Sequence, residues 1–182
     1  MAPESESIDL QRSAAIHSSY LPDADRRNAA LLAAYDRLRP EDFARRTHFF
    51  GGRFENLYLD RGRLPELADV LGWAERCAGR ILGVDPGALK CGFWFNVMDP
   101  GDSTTEHSHE EIDELLSAVY YVEAPEDSGD IVLFDDPLTI RVKPESGMFL
   151  FFPPELSHLV ETNRSGRRRL SIGINFGPRD GM

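Results

Sequence analysis

The stretch CGFWFNVMDPGDSTTEHSHEEIDELLSAVYYV, residues 91–122, places a polar segment with two histidines between two apolar runs. Side chains at positions i and i+2 of a strand share a face, so His107 and His109 would point to the same side, together with Glu111. A third histidine, His158, ends a later apolar run, MFLFFPPELSH. The pattern indicates strands that bring histidines from two distant parts of the chain to one candidate metal site.

Short β-like runs continue from residue 89 to residue 176, and turn-forming residues separate them. Strands of this length and spacing are typical of an antiparallel barrel or sandwich. Before them, residues 23–40 and 64–83 carry apolar side chains at helical spacing. The sequence therefore predicts a mainly β fold with flanking α-helices, in which the N-terminal helices cover one face.

Length and composition are those of a single globular domain. The chain has 182 residues, of which 41% are hydrophobic and 28% charged, and it shows no internal repeat or low-complexity tract. We expect one domain over residues 1–182, with an extended arm at 1–22, a mainly helical part at 23–88 and a β-strand core at 89–176.

The net charge of −11 limits the partners of the chain. An acidic surface repels phosphate backbones, so we expect no nucleic-acid partner. No apolar run approaches the ~20 residues that span a bilayer, and the N-terminal residues MAPESESIDL are too polar for a secretory signal. We therefore expect a cytoplasmic protein with no membrane partner. The oligomeric state is open, with a homodimer as one option.

The histidines suit a mononuclear metal site, because imidazole and carboxylate are common ligands of Fe, Mn, Zn, Co and Ni. A His-x-His pair on one strand and a histidine on a distant strand give three ligands on one face of the metal. Other positions then stay open for substrate and oxygen, as in non-haem Fe(II) oxygenases. His107 and His158 are the leading candidates, and His109, Glu111 or Glu114 completes the set.

Several motifs follow one another in residues 91–176: a glycine six residues before His107, the H-x-H pair, the strand SAVYYV, then SGDIVLFDDP, PESGMFLFFPPELSH and RRRLSIGINF. Their order resembles that of the Fe(II)- and 2-oxoglutarate-dependent oxygenase superfamily, and most closely its small members with H-x-H, tyrosine-rich and R-x-S strands. The resemblance implies a double-stranded β-helix, the jelly roll of cupin-like proteins. It also implies Fe(II) as the metal, 2-oxoglutarate as the cosubstrate and O2.

The resemblance matches His107 and His158 to the first and last iron ligands. In that family the ligand two residues after the first is usually Asp or Glu, but His109 stands there in this chain. Either three histidines bind the metal, or a shifted register makes His109 and Glu111 the pair in place of His107. We favour His107, His109 and His158, because the glycine spacing sets the register.

The resemblance also implies residues that bind 2-oxoglutarate. The family anchors the distal carboxylate with an Arg or Lys after the last histidine, often in an R-x-S pair, and Arg169 and Ser171 stand in that place. An arginine fork binds a carboxylate through two parallel hydrogen bonds. Tyr121 is expected to face inward and to hydrogen-bond the cosubstrate. Asn96, a polar residue in an apolar strand, serves either the site or a neighbouring backbone group.

These expectations together predict a 2-oxoglutarate-dependent non-haem iron dioxygenase, an oxidoreductase without catalytic side chains beyond its metal ligands. It would hydroxylate or otherwise oxidise a small-molecule, amino-acid or peptide substrate and release succinate and CO2.

The alternative is a cupin-type metal enzyme or binding module that does not use 2-oxoglutarate. The spacing of His107, His109 and Glu114 resembles the first cupin motif, and that of Gly147 and His158 resembles the second. In this interpretation Glu114 is a metal ligand. An inward-facing arginine on the last strand separates the two hypotheses, because a cupin has no need of one.

Overall fold

A computed structural model describes residues 8–13, 16–109 and 113–179. Within these residues there are two α-helices, α1 (Ala24–Tyr35) and α2 (Leu67–Leu82). The strands are β1 (Gln11–Ser13), β2 (Ile16–Tyr20), β3 (Arg45–Phe50), β4 (Arg53–Tyr58), β5 (Leu89–Met98), β6 (Leu116–Glu123), β7 (Ile131–Asp135), β8 (Leu138–Val142), β9 (Met148–Phe152), β10 (Ser157–Val160) and β11 (Arg169–Pro178).

The strands form two antiparallel sheets. The larger sheet has the order β1-β2-β9-β6-β11-β5-β4-β3, and the smaller has the order β10-β7-β8. Apolar side chains of β7 in the smaller sheet and of β9 in the larger sheet pack together between them, among them Leu133 and Leu150. The predicted mainly β jelly roll with flanking helices is confirmed.

Both helices pack on the outer face of the larger sheet. Along α2 the buried side chains recur at helical spacing, so that the helix presents one apolar face to the sheet. The sheet meets it with alternate residues of its central strands, among them Phe93, Phe95, Tyr120, Phe149, Phe151, Ile172 and Ile174. The predicted packing of the helices on one face is therefore observed. Neither helix is long and apolar enough to cross a membrane.

The part of the chain expected to be mainly helical, residues 23–88, also contains the hairpin β3–β4. This hairpin extends the larger sheet through the pairing of Leu57 with Phe95 in β5. Most side chains of β3 are exposed, so its sequence lacks the apolar alternation by which a strand is recognised. The arm before α1 contributes β1 and β2, and β2 pairs with β9.

The alternation of side chains along β11 places polar groups inside the jelly roll. The even-numbered residues from Leu170 to Phe176 belong to the core beneath the helices. The odd-numbered residues Arg169, Ser171 and Gly173 line a cavity on the opposite face. Because the side-chain period of a strand is two, one strand serves both the core and the interior of the jelly roll.

A buried hydrogen bond joins α1 to β6, because the Tyr120 hydroxyl donates to Asn28 Oδ1 over 2.6 Å. The variant Tyr120→Phe would leave this amide oxygen without its donor, and we expect a loss of about 1–2 kcal/mol in the free energy of unfolding, measured with urea. The control is Tyr20→Phe, which removes an exposed hydrogen bond to Glu145. Its expected cost is below about 0.5 kcal/mol, and equal losses for the two variants would contradict the assignment.

Candidate active site

Two backbone hydrogen bonds hold His107 against His158. The His107 N–H donates to the His158 carbonyl over 3.0 Å, and the His158 N–H donates back over 2.8 Å. Residues that are paired in this way in antiparallel strands project their side chains to the same side. The two imidazoles come from distant parts of the chain, yet their ring centroids lie 4.5 Å apart.

His109 completes a cluster of three imidazoles. Its N–H donates to the Pro154 carbonyl over 2.9 Å, and its ring centroid lies 5.1 Å from that of His107 and 5.0 Å from that of His158. One candidate ligand atom from each of the three residues lies within 4.8 Å of the others. Within the part of the chain that the structure describes, this is the group suited to hold a metal ion, and it is the set favoured from the sequence.

Hydrogen bonds to backbone carbonyls orient two of the rings. His107 Nδ1 lies 2.8 Å from the Thr105 carbonyl oxygen, and His158 Nδ1 lies 2.9 Å from the Leu156 carbonyl oxygen. A carbonyl only accepts, so each Nδ1 carries the proton and each Nε2 presents its lone pair. This tautomer is the one that a histidine with a second hydrogen-bonding partner uses to bind a metal.

Burial keeps the imidazoles of His109 and His158 neutral. It lowers the pKa of His109 to about 3, with smaller contributions from the nearby His158, His107 and His48. Burial also lowers the pKa of His158 to about 4. Both rings are therefore unprotonated at neutral pH, which is the form that coordinates a metal.

The carboxylate alternatives are placed differently. Glu111 lies outside the described residues. Glu114 is described, and it accepts a hydrogen bond from Asn175 Nδ2. Its carboxylate is not among the ligand atoms that converge with the three histidines; it lines a neighbouring cleft instead.

A buried carboxylate that sequence reasoning missed supports His107 indirectly. Glu55 in β4 is 2% exposed and accepts hydrogen bonds from the Thr105 N–H and the Thr105 hydroxyl, over 3.0 and 3.1 Å. The carbonyl of the same threonine receives the His107 Nδ1 proton. The sequence signal was weak, because a single glutamate in a strand is usually solvated.

Arg169 enters a narrow inner cavity of about 50 Å³ together with Ser171 and the three histidines. It is 1% exposed, and its Nη1 donates to the carbonyls of Ser128 and Gly129 over 3.3 and 2.6 Å. Among the described residues its Nε has no hydrogen-bond partner, and burial lowers its pKa. Burying a charge costs several kcal/mol. Asp130 attracts the guanidinium through space but forms no ion pair with it, so this cavity is suited to an anion.

Two further buried polar atoms near Arg169 lack partners among the described residues: the Tyr121 hydroxyl and Asn96 Oδ1. The Arg169 guanidinium lies 5.1 Å from the centre of the Tyr121 ring, and burial raises the pKa of Tyr121 to about 12. Tyr121 is therefore a neutral donor at physiological pH. Buried groups without partners are rare in folded proteins, and a polar ligand that binds here would satisfy them.

Trp94 lies between the inner cavity and a larger outer cleft of about 510 Å³, and it lines both. Its cross-strand neighbour is Gly173, where an added Cβ would lie 2.3 Å from the indole. The glycine thus lets the ring lie flat against the sheet, with its centroid 5.3 Å from that of His109. Since His107 and His109 line both spaces, the histidine cluster stands where cleft and cavity meet.

His48, on β3, is a fourth histidine at the cleft that the sequence did not single out. Its backbone is left-handed, with φ +57°, which costs a non-glycine residue of order 1–3 kcal/mol. Its Nδ1 lies 3.1 Å from Asn56 Nδ2, which donates, and 2.9 Å from the Thr47 hydroxyl. Its Nε2 therefore carries the proton and is a donor at the cleft.

The fold and the three-histidine cluster define a jelly-roll protein with a candidate mononuclear metal site. Residues 92–141 match the family model described as "Putative 2OG-Fe(II) oxygenase". This match and the fold confirm the predicted resemblance to the Fe(II)- and 2-oxoglutarate-dependent oxygenases. No curated protein matches the sequence significantly.

Several solved structures share the fold. A prolyl-4-hydroxylase from Pseudomonas putida is 22% identical, with a TM-score of 0.67, and the match covers 92% of this chain and 89% of that one. EvdO2 from Micromonospora carbonacea var. aurantiaca is 16% identical, with a TM-score of 0.71 and coverage of 92% and 88%. A prolyl hydroxylase from Trichoplax adhaerens, in complex with a hypoxia inducible factor oxygen degradation domain peptide fragment, is 11% identical, with a TM-score of 0.66 and coverage of 90% and 84%.

The lowered pKa values predict that the metal-free protein loses stability in acid. The unfolded chain binds protons at His109 and His158 from about pH 6.5 downward, whereas the folded chain does not until about pH 3 and 4. The free energy of unfolding therefore decreases as the pH is lowered, by up to about 2 kcal/mol for each histidine between pH 6.5 and about pH 5. Urea unfolding across this range should give a free energy of unfolding that depends less steeply on pH for His109→Gln than for the wild type. Identical slopes would contradict the lowered pKa of His109.

Glu55→Gln should weaken metal binding about 10-fold, because partners that orient a ligand typically contribute 10- to 100-fold to affinity. Calorimetric titration with Zn(II) or anaerobic Fe(II) measures the change. Glu114→Gln is the matched control and should leave the affinity unchanged, whereas His158→Ala should abolish binding. A loss for Glu114→Gln as large as for His158→Ala would instead make Glu114 a ligand, as in the cupin interpretation.

Proposed function

We propose that the protein is an Fe(II)- and 2-oxoglutarate-dependent dioxygenase that hydroxylates or otherwise oxidises a small-molecule, amino-acid or peptide substrate and releases succinate and CO2. One observation carries the proposal. The buried Arg169, which has no ion pair among the described residues, lines the same cavity as the three imidazoles. A metal-binding cupin that does not use 2-oxoglutarate has no use for this arginine.

His107, His109 and His158 would hold the metal through neutral nitrogens. Three such ligands leave the +2 charge of Fe(II) uncompensated by the protein, and the 2-oxoglutarate dianion would neutralise part of it. The carboxylate of Glu55 reaches the site only through Thr105, so it orients His107 without occupying a coordination position.

Arg169 would bind the distal carboxylate of 2-oxoglutarate through its unpaired Nε and the rest of its fork. Ser171 lies two residues along the same strand and lines the same cavity. The Tyr121 hydroxyl and Asn96 Oδ1 are two further buried polar atoms without hydrogen-bond partners among the described residues. Each of these groups is desolvated already in the folded protein, so binding an anion recovers interactions that burial has removed.

When bound together, iron, 2-oxoglutarate and O2 supply oxidative decarboxylation to succinate and CO2, coupled to oxidation of a substrate C–H bond. Residues of the chain would hold the reactants and restrict the access of water to the inner cavity. Phe152 and Val119 line the inner cavity, and the Phe152 ring packs edge-on against His158. Trp94 separates this cavity from the outer cleft, where the substrate would enter.

Similarity to the two prolyl hydroxylases makes an amino-acid or peptide substrate one possibility for the outer cleft, and a small molecule is the other. The cleft volume of about 510 Å³ suits either. The absence of a nucleic-acid partner stays a prediction from the acidic composition, and a cytoplasmic location stays a prediction from the polar N-terminal residues and the lack of a long apolar run.

Anaerobic titration with Fe(II) and 2-oxoglutarate tests the proposal through the weak visible charge-transfer band of the chelate. Arg169→Gln should raise the 2-oxoglutarate concentration for half-saturation at least about 10-fold, because a charge-assisted fork is lost. Arg168→Gln is the matched control and should have no effect, since Arg168 faces outward and pairs with Asp36 and Glu123. No band in the wild type, or no difference between the two variants, would overturn the proposed function.

A further inference from the structure

The outer cleft carries positive charge and donors at one end. Arg45 lines this cleft, and its guanidinium lies 4.1 Å from the centre of the Tyr58 ring. It has no ion pair with any described residue, although the chain carries 31 acidic residues against 20 Lys and Arg. An arginine that is stacked on an aromatic ring and lacks a carboxylate partner keeps its hydrogen-bonding edge available to a ligand.

His48 adds a donor near the histidine cluster, since its ring centroid lies 6.4 Å from that of His107. Regular strand geometry would place the side chain of His48 on the face opposite to those of Arg45 and Thr47. Its left-handed backbone instead brings the ring to the cleft, and Asn56 holds Nδ1 so that Nε2–H donates. A strained backbone conformation that the fold maintains at one residue is a reason to look for a function of that residue.

An aromatic wall runs from Arg45 to the metal cluster. The Tyr58 and Trp94 ring centroids lie 6.0 Å apart, and Trp94 is next to His109. The one carboxylate of a described residue in the cleft belongs to Glu114, which accepts a hydrogen bond from Asn175. The cleft therefore offers the Arg45 guanidinium at one end, an aromatic surface along its side and the histidines, with His48 beside them, at its base.

We propose that the substrate of the outer cleft is an organic anion with a flat apolar body, whose acidic group is bound by Arg45 while its body lies against Tyr58 and Trp94. This inference rests on the proposed function for the identity of the site as a substrate cleft. A carboxylate and a phosphate monoester share the recognised chemistry, so both are tested.

The probes are phenylacetate, 3-phenylpropionate and phenyl phosphate, each compared with a neutral counterpart: phenylacetamide, 3-phenylpropionamide and phenol. Binding is measured by calorimetry and by Trp94 fluorescence on anaerobic protein with Fe(II) and saturating 2-oxoglutarate, which occupies the Arg169 cavity. We expect at least one anion to bind more tightly than its neutral counterpart. Whether carboxylate or phosphate binds better identifies the acidic group.

Arg45→Gln should weaken this binding at least about fivefold. The matched control is Arg46→Gln, because Arg46 is the adjacent residue of β3 but lies over the Phe54 ring instead of the cleft. It should retain wild-type affinity.

Three results would overturn the inference: no anion preferred over its neutral counterpart, an equal loss in Arg45→Gln and Arg46→Gln, or full retention of binding in Arg45→Gln. The charge-transfer band, recorded on the same samples, reports the proposed function separately. An absent band with anion selectivity intact refutes the oxygenase assignment alone, and an intact band without selectivity refutes the substrate class alone.

Discussion

The backbone pairing of His107 with His158 is the contact on which the candidate site depends. Its two hydrogen bonds place one imidazole from each of two distant segments on the same side, and they hold the segment before β6 against the smaller sheet. His109 follows two residues later on the same face. Pairing through the backbone spares the imidazoles, so their ring nitrogens remain available for a carbonyl on one side and a metal on the other.

Desolvation has two opposite consequences around this pairing. For His109 and His158 it lowers the pKa and keeps the rings neutral, which suits metal binding. For Arg169 it removes water from a guanidinium that receives only carbonyl partners in return. The same low-dielectric interior that prepares the ligands therefore makes the cavity selective for an anion. The buried carboxylate of Glu55 supports the site through Thr105.

Much of the fold and half of the site were predictable because they depend on local patterns. Apolar alternation located the strands from β5 to β11, and the i, i+2 rule placed His107 with His109 and Arg169 with Ser171 on common faces. The hairpin β3–β4 was missed in part, since the side chains of β3 are mostly exposed. Glu55 and His48, both on this hairpin, were missed with it. Neither the burial of Glu55 nor the left-handed backbone of His48 can be recognised from the sequence alone.

Residue types and their spacing were enough to establish the jelly roll, the histidine motif and the resemblance to 2-oxoglutarate oxygenases. They left open which groups accompany His107 and His158, because ligand choice depends on distances between segments that meet only after folding. The three-dimensional arrangement brings His109 into the cluster and ties Glu114 to Asn175. It also sets Trp94 against Gly173, dividing cavity from cleft, since cross-strand register and side-chain packing arise only when the sheets close.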